Sequence, residues 1–255
     1  MPETDDRVAL ITGAGSGIGL ATAQRLAARG QTVVLVGRRP ELLGEAAAAI
    51  AAAGGTAHAL PADLADRDAP ARVVAEALER TGRVDVLVNN AASYKLRDVA
   101  DFTPDDFDDH MAVNLRAPYF LVQAALPALR SSPAAVVVNA SSAAAVMYRR
   151  GQTVYGLTKA ALEHLTMNLA AELAPDGIRV VAVRPGPVAT ELHARAVADP
   201  EARLRAIAAM VPLGRLGTAD EVALWIEHLV DERAAWVTGT VIAVDGGRVL
   251  GAPGV

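Results

Sequence analysis

The 255 residues, 52% of them hydrophobic, are enough for one large core, and the even spread of apolar segments favours a single domain over residues 1–255. A net charge of −5 with interspersed signs leaves no basic stripe for nucleic acid and no polybasic patch for a membrane. The absence of cysteine excludes disulfides, thiolate metal sites and cysteine nucleophiles and fits a reducing compartment, while five histidines (58, 110, 164, 193, 228) lack paired ligand spacing, so no metal site is expected.

Along the chain, the start M-P-E-T-D-D-R is acidic and lacks the apolar run of a secretory signal, which points to the cytoplasm. Short β-branched runs at Val8 to Thr12, Thr32 to Val36, Thr56 to Leu60, Val84 to Val88, Ala135 to Ala140, Arg179 to Arg184 and Thr240 to Val244 read as strands. Alanine- and leucine-rich segments near 17–29, 40–53, 66–80, 104–130, 153–174 and 218–230 read as helices between them. Continuous apolar runs such as V-V-L-V mark strands covered on both faces, so the fold class is α/β, a doubly wound, seven-stranded, Rossmann-like parallel sheet. Thr103-Pro104-Asp105-Asp106 is a strong helix start, with a capping hydroxyl, a first-turn proline and acids at the positive dipole end.

After the first strand comes T-G-A-G-S-G-I-G, Thr12 to Gly19. Glycines at 13, 17 and 19, with Ser16 and Ile18 in the same turn, let the backbone approach a pyrophosphate at the amino end of the next helix. Twenty residues past Gly17, where an acid would grip the ribose hydroxyls of NAD(H), the chain has Gly37, Arg38 and Arg39. A small residue with guanidinium groups suits a 2′-phosphate, so NADP(H) is favoured over NAD(H), with Arg38 the stronger candidate and Arg39 also readable as a solvated helix entry. The longest uncharged stretch, Ser131 to Tyr148, holds four serines, an asparagine and a proline, which suits strand then loop better than a membrane span.

Tyr155 and Lys159 stand four apart in Y-G-L-T-K, on one helical face, with Ser142 thirteen residues earlier. A free phenol with a pKa of about 10 is a poor proton carrier at neutral pH, and a neighbouring ammonium would bring it closer to range. The chain has 22 arginines and only two lysines, Lys95 and Lys159, so lysine at 159 reads as chosen for its compact head group. Just before the tyrosine, Arg149 and Arg150, with Lys95 and Arg97 as helpers, could meet an anionic substrate group, although a solvated loop or subunit contact is the preferred reading. The charged segment near 187–217 reads as a substrate lid, or else as a surface helical hairpin.

These motifs, together with A-D-L at 62–64, N-N-A-A at 89–92, Asn114, S-S at 141–142, R-P-G-P-V-A-T at 184–190 and V-D-G-G at 244–247, resemble the compact branch of the short-chain dehydrogenase/reductase family over nearly the whole chain. The resemblance implies hydride transfer between a nicotinamide and a ketone or secondary alcohol. Tyr155 would be the acid/base, Lys159 its pKa-lowering and ribose-holding partner, and Ser142 the donor to the reacting oxygen. Asn114 would help hold a water chain behind Lys159. Asp63, with Leu64 beside it, would contact the adenine, and Asn90 and Ala91 would pass along the adenosine. Pro185, Gly186, Val188 and Thr190 would line the carboxamide.

Ala92 and Ala145 depart from the family by replacing glycines, which puts the local backbone in question. Self-association through helices 104–130 and 153–174 is expected, a tetramer before a dimer. Members with this ending often reduce carrier-bound 3-oxoacyl groups, but the acidic A-A-E-L-A-P-D-G at 170–177 does not support docking of a carrier. The alternatives are an NAD(H)-dependent alcohol dehydrogenase and a non-catalytic dinucleotide-sensing scaffold.

Overall fold

The computed structural model describes residues 6–189 and 200–251. Seven parallel strands, β1 (Val8–Thr12), β2 (Thr32–Gly37), β3 (Thr56–Pro61), β4 (Val86–Asn89), β5 (Val136–Ala140), β6 (Arg179–Pro185) and β7 (Val241–Val244), lie in the order β3-β2-β1-β4-β5-β6-β7. The helices are α1 (Gly17–Ala28), α2 (Pro40–Ala52), α3 (Ala69–Thr81), α4 (Pro104–Met111), α5 (Ala117–Arg130), α6 (Thr153–Leu173), α7 (Pro200–Ala208) and α8 (Ala219–Val230). The expected α/β architecture is present. None of the described helices is long and apolar enough to cross a membrane.

Register explains why the strands are apolar on both sides. Leu10 lies opposite Val34 and Leu87, Leu87 opposite Val137, and Val137 opposite Val180, a row of buried side chains beneath α3, α5 and α6. One residue further along, Ile11, Leu35, Val88, Val138 and Val181 make the opposite row, beneath α1, α2 and α8. Strand order reverses between β1 and β4, which opens a crevice beyond their carboxyl ends.

Two helical boundaries differ from expectation. The helix expected from residue 66 begins at Ala69, because the Asp63 carboxylate accepts the Ala65 N–H (3.0 Å) and the Asp66 carboxylate accepts the Asp68 N–H (3.1 Å). These local turns take donors that a helix would use. The single helix expected over 104–130 is broken by a π-helical turn at Ala112–Arg116, where the Ala117 N–H reaches back five residues to the Ala112 carbonyl. Pro118 has no N–H to offer Asn114 in ordinary helical register, a local reason for the widened turn. Strand ends shift by one or two residues.

Candidate active site

Beyond β1, Gly13 (φ +67°) and Gly17 (φ +56°) hold left-handed backbone, and a Cβ on Gly19 would stand 2.3 Å from the Gly13 carbonyl oxygen. Asn90 braces this turn: its side-chain amide donates to the Thr12 carbonyl (3.0 Å) and more weakly to that of Gly13 (3.3 Å). The N–H groups of Asn90 and Ala91 donate to Thr12 Oγ1, at 2.9 and 3.0 Å. Ser16 precedes α1 without capping it and no acid occupies the first turn, so the amides around Ile18 suit an anion such as a pyrophosphate. At the end of β2, Gly37 is followed by exposed Arg38 and Arg39. Arg39 donates to Ser16 Oγ (3.2 Å), and among the described residues neither arginine has a carboxylate partner. Asp63 spends one oxygen on its own turn, and Leu64 beside it is buried.

Beyond β5, Ser142 starts a short 3₁₀ turn (Ala143–Ala145), its Oγ accepting the Ala144 N–H (3.2 Å), and Ala145 fits this turn. Helix α6 brings the Tyr155 hydroxyl to the side of Ser142, whose hydroxyl favours the ionised phenol. Gly156 makes that approach possible, since a Cβ there would lie 2.7 Å from the Ala144 carbonyl oxygen. One turn on, Lys159 is 2% exposed, its Nζ donating to the Ala140 carbonyl (2.7 Å) and lying 5.8 Å from the Tyr155 ring centroid. Burial pushes the phenol up to about 12, with the Ser142 hydrogen bond opposing it. Burial likewise drives the lysine down to about 8. Desolvation therefore dominates the phenol, the expected lowering by the lysine is not among its causes, and Tyr155 is protonated at neutral pH.

Asn114 sits in the π-helical turn, fully buried. Its Oδ1 accepts the Ser93 N–H (2.7 Å), and its Nδ2 donates to the Ser93 carbonyl (3.0 Å) and Thr158 Oγ1 (3.1 Å). Its side chain thus fastens the loop after β4 to α6. The ring of Tyr94 meets that of Tyr155 edge-on at 4.8 Å, and its hydroxyl accepts from Gln152 Nε2 (2.9 Å). Sequence reasoning missed Glu163, which is buried and bonded to both Ser141 and Arg184. A spacing of i, i+4 from Lys159 was the available signal for Glu163. Beyond β6, a Cβ on Gly186 would lie 2.7 Å from Asp245 Cα, so Pro185-Gly186 packs directly on V-D-G-G. Val188 bridges to Gly217, closing the base of the segment expected to be a lid, whereas Thr190 lies outside the described residues.

Residues 13–248 match a family model described as enoyl-(acyl carrier protein) reductase. L-rhamnose 1-dehydrogenase (NAD(P)(+)) of Azotobacter vinelandii is 40% identical over 248 residues, covering 95% of this chain and 96% of that protein. A short-chain dehydrogenase/reductase from Serratia marcescens superposes with a TM-score of 0.90 at 31% identity, over 98% of this chain and all of that one. The chain belongs to the short-chain dehydrogenase/reductase family. It is an oxidoreductase by membership, and the family's cofactors are nicotinamide dinucleotides. Another similar structure is a blue fluorescent protein from a metagenomic library in complex with NADPH, with TM-score 0.88 and 32% identity over 95% of this chain and 97% of that one.

On the substrate side, the cations that could meet an anionic group are already paired. Arg150 is engaged bidentately by Asp98, Lys95 Nζ lies 2.9 Å from Asp106 and 3.5 Å from Asp109, and Arg97 Nε lies 2.8 Å from Asp106. These cations are neutralised by carboxylates of the protein itself. A groove of about 420 Å³ lined by Val99, Phe102, Phe107 and Val154 opens nearby, but Ser142, Tyr155 and Lys159 are not in its wall.

Proposed function

We propose that the protein is an NADP(H)-dependent reductase or dehydrogenase that interconverts a ketone and a secondary alcohol. The observation that carries this reading is the meeting of Ser142, Tyr155 and Lys159 beyond the carboxyl end of β5, beside a glycine turn whose helix end suits a pyrophosphate. The cofactor would be held by the turn from Gly13 through Gly19, by Asp63, Leu64, Asn90 and Ala91 along the adenosine, and by Pro185, Gly186 and Val188 at the carboxamide. When bound, the nicotinamide supplies or accepts the hydride. Tyr155 gives the substrate oxygen its proton in reduction and removes it in oxidation. Ser142 donates a hydrogen bond to the same oxygen as charge builds on it. Lys159, compact and buried, holds the ribose side, with Asn114 behind it.

Gly37, Arg38 and Arg39 support NADP(H), because no carboxylate among the described residues competes for either guanidinium. The similar structure solved with NADPH supports the same choice. Use of NAD(H) is the second reading, favoured by the Azotobacter relative, which is named for both cofactors. An intact Ser142-Tyr155-Lys159 set speaks against a sensing scaffold, which would have no use for it. Initial rates with NADPH and NADH across ketone and alcohol panels, in wild type and Arg38→Asp, test the proposal; equal preference in the two proteins would remove Arg38 from it.

The segment near 187–217 would close over substrate. Helices α4, α5 and α6 expose Phe107, Tyr119, Phe120, Leu157 and Met167, a face suited to a second copy and hence to a homo-oligomer, a tetramer first. We place the enzyme in the cytoplasm.

A further inference from the structure

We propose that Glu163 is a positioning residue of this active site: its buried carboxylate locks three separate site-bearing segments into one frame. Glu163 lies one turn beyond Lys159 on α6 and is 8% exposed. Its Oε1 accepts from Ser141 Oγ (2.7 Å) and from Arg184 Nε (2.7 Å), and its Oε2 accepts from Arg184 Nη2 (2.6 Å). Ser141 immediately precedes Ser142, and Arg184 immediately precedes Pro185 and Gly186. One side chain therefore joins the end of β5, the helix carrying Tyr155 and Lys159, and the end of β6.

The chemistry of the joint argues for position over stability. A buried ion pair usually holds a fold no better than well-packed apolar side chains of equal volume, because two charges must be desolvated. What it adds is direction: the planar guanidinium meets the carboxylate through two parallel bonds and admits little rotation, whereas an apolar contact slides. The three polar groups converge where small displacements would change the distance from Ser142 to Tyr155. The Ser141 N–H also donates to the Val183 carbonyl (2.8 Å), so the two strand ends are already aligned and the carboxylate fixes the helix against them.

This inference rests on the proposed ketone–alcohol reading, and its test separates the two. Glu163→Gln keeps shape and one acceptor, Glu163→Ala removes the joint, and Arg184→Lys keeps the charge without the fork. For each, kcat and KM on a ketone turned over by wild type, the dissociation constant of 2′,5′-ADP, and the melting temperature would be measured. A misplaced frame predicts kcat down about tenfold in Glu163→Gln and about a hundredfold in Glu163→Ala, with Arg184→Lys between. Binding of 2′,5′-ADP, which occupies only the adenosine end, should stay within about twofold of wild type. Variants that melt earlier yet keep wild-type kcat well below their melting temperature would overturn the positioning role alone, as would full activity in the apolar double variant Glu163→Leu/Arg184→Leu. A wild type that binds NADPH but turns over no ketone or alcohol would overturn the ketone–alcohol reading, and the positioning role with it.

Discussion

Two arginine pairs flank the candidate site, and the fold treats them oppositely. Arg38-Arg39, at the end of β2, faces the glycine turn with no carboxylate partner among the described residues, and Arg39 bonds only the Ser16 hydroxyl. Arg149-Arg150, just before α6, has one member captured by Asp98, a residue 52 positions earlier in the chain. Lys95 and Arg97 beside it are captured by Asp106 and Asp109. Identical dipeptides thus differ: one stands open to an anion, whereas the other has its second arginine already paired, on a rim where Lys95 and Arg97 are paired too. The lesson is that a guanidinium signals an anionic ligand only when the fold withholds its own carboxylates.

The largest expected effect falls between the rims. Tyr155→Phe removes the proton carrier while leaving both arginine pairs in place, so turnover should fall about a thousandfold, within the span expected for general acid–base catalysis, while NADPH binding persists. Fluorescence titration alongside steady-state rates checks both halves. If binding were lost together with rate, the separation of cofactor rim from reacting centre would be wrong.

Next in size is the open pair. Replacing Arg38 and Arg39 together with aspartate should lower kcat/KM for NADPH about tenfold to a hundredfold, the scale of one or two charge-assisted hydrogen bonds. NADH kinetics should change little. Comparing the single variants would show whether Arg39, which touches Ser16, outweighs Arg38, favoured by its place in the sequence.

A smaller effect belongs to pH. The folded-state value of Lys159, about 8, is below its ordinary 10.5, so the unfolded chain binds more protons between these two pH values. Stability should therefore climb as pH rises from 8 to 10.5, by on the order of 3 kcal/mol at most. Tyr155, at about 12 against 10.0, acts oppositely: its contribution is complete below pH 10 and is lost as pH rises toward 12. Urea denaturation of wild type and Lys159→Met across pH 7.5 to 10 should show wild type gaining on the variant. Parallel curves would mean the lysine is not desolvated as deeply as its burial implies.

Much of this arrangement is legible in the sequence, and the exceptions share a cause. Continuous apolar runs give the strands because a doubly covered sheet demands them, and Thr103 caps its helix as its position implies. The break at Ala112–Arg116 is hidden, since one residue of extra winding leaves apolar periodicity almost unchanged. Only the approach of β6, which carries Arg184, makes Glu163 a buried partner. Tyr94 and Gln152 are 58 residues apart, and nothing local links them. Local propensity is written in neighbours, whereas these pairings depend on topology.

The smallest expected effect is the sharpest test of the comparison between rims. Arg150 is 89% exposed and Asp98 37%, so their pair is screened by solvent and adds little to stability. Its consequence is instead negative: with Asp98 already accepting from Nε and Nη2 along one edge of the guanidinium, a substrate carboxylate would have to compete with a partner tethered in the same chain. Arg150→Ala should leave the ratio of kcat/KM for matched acidic and neutral ketones within about twofold of wild type, since no direct substrate contact is lost. A tenfold loss confined to the acidic ketone would show that Asp98 yields to substrate, and the closed rim would then have to be counted as open.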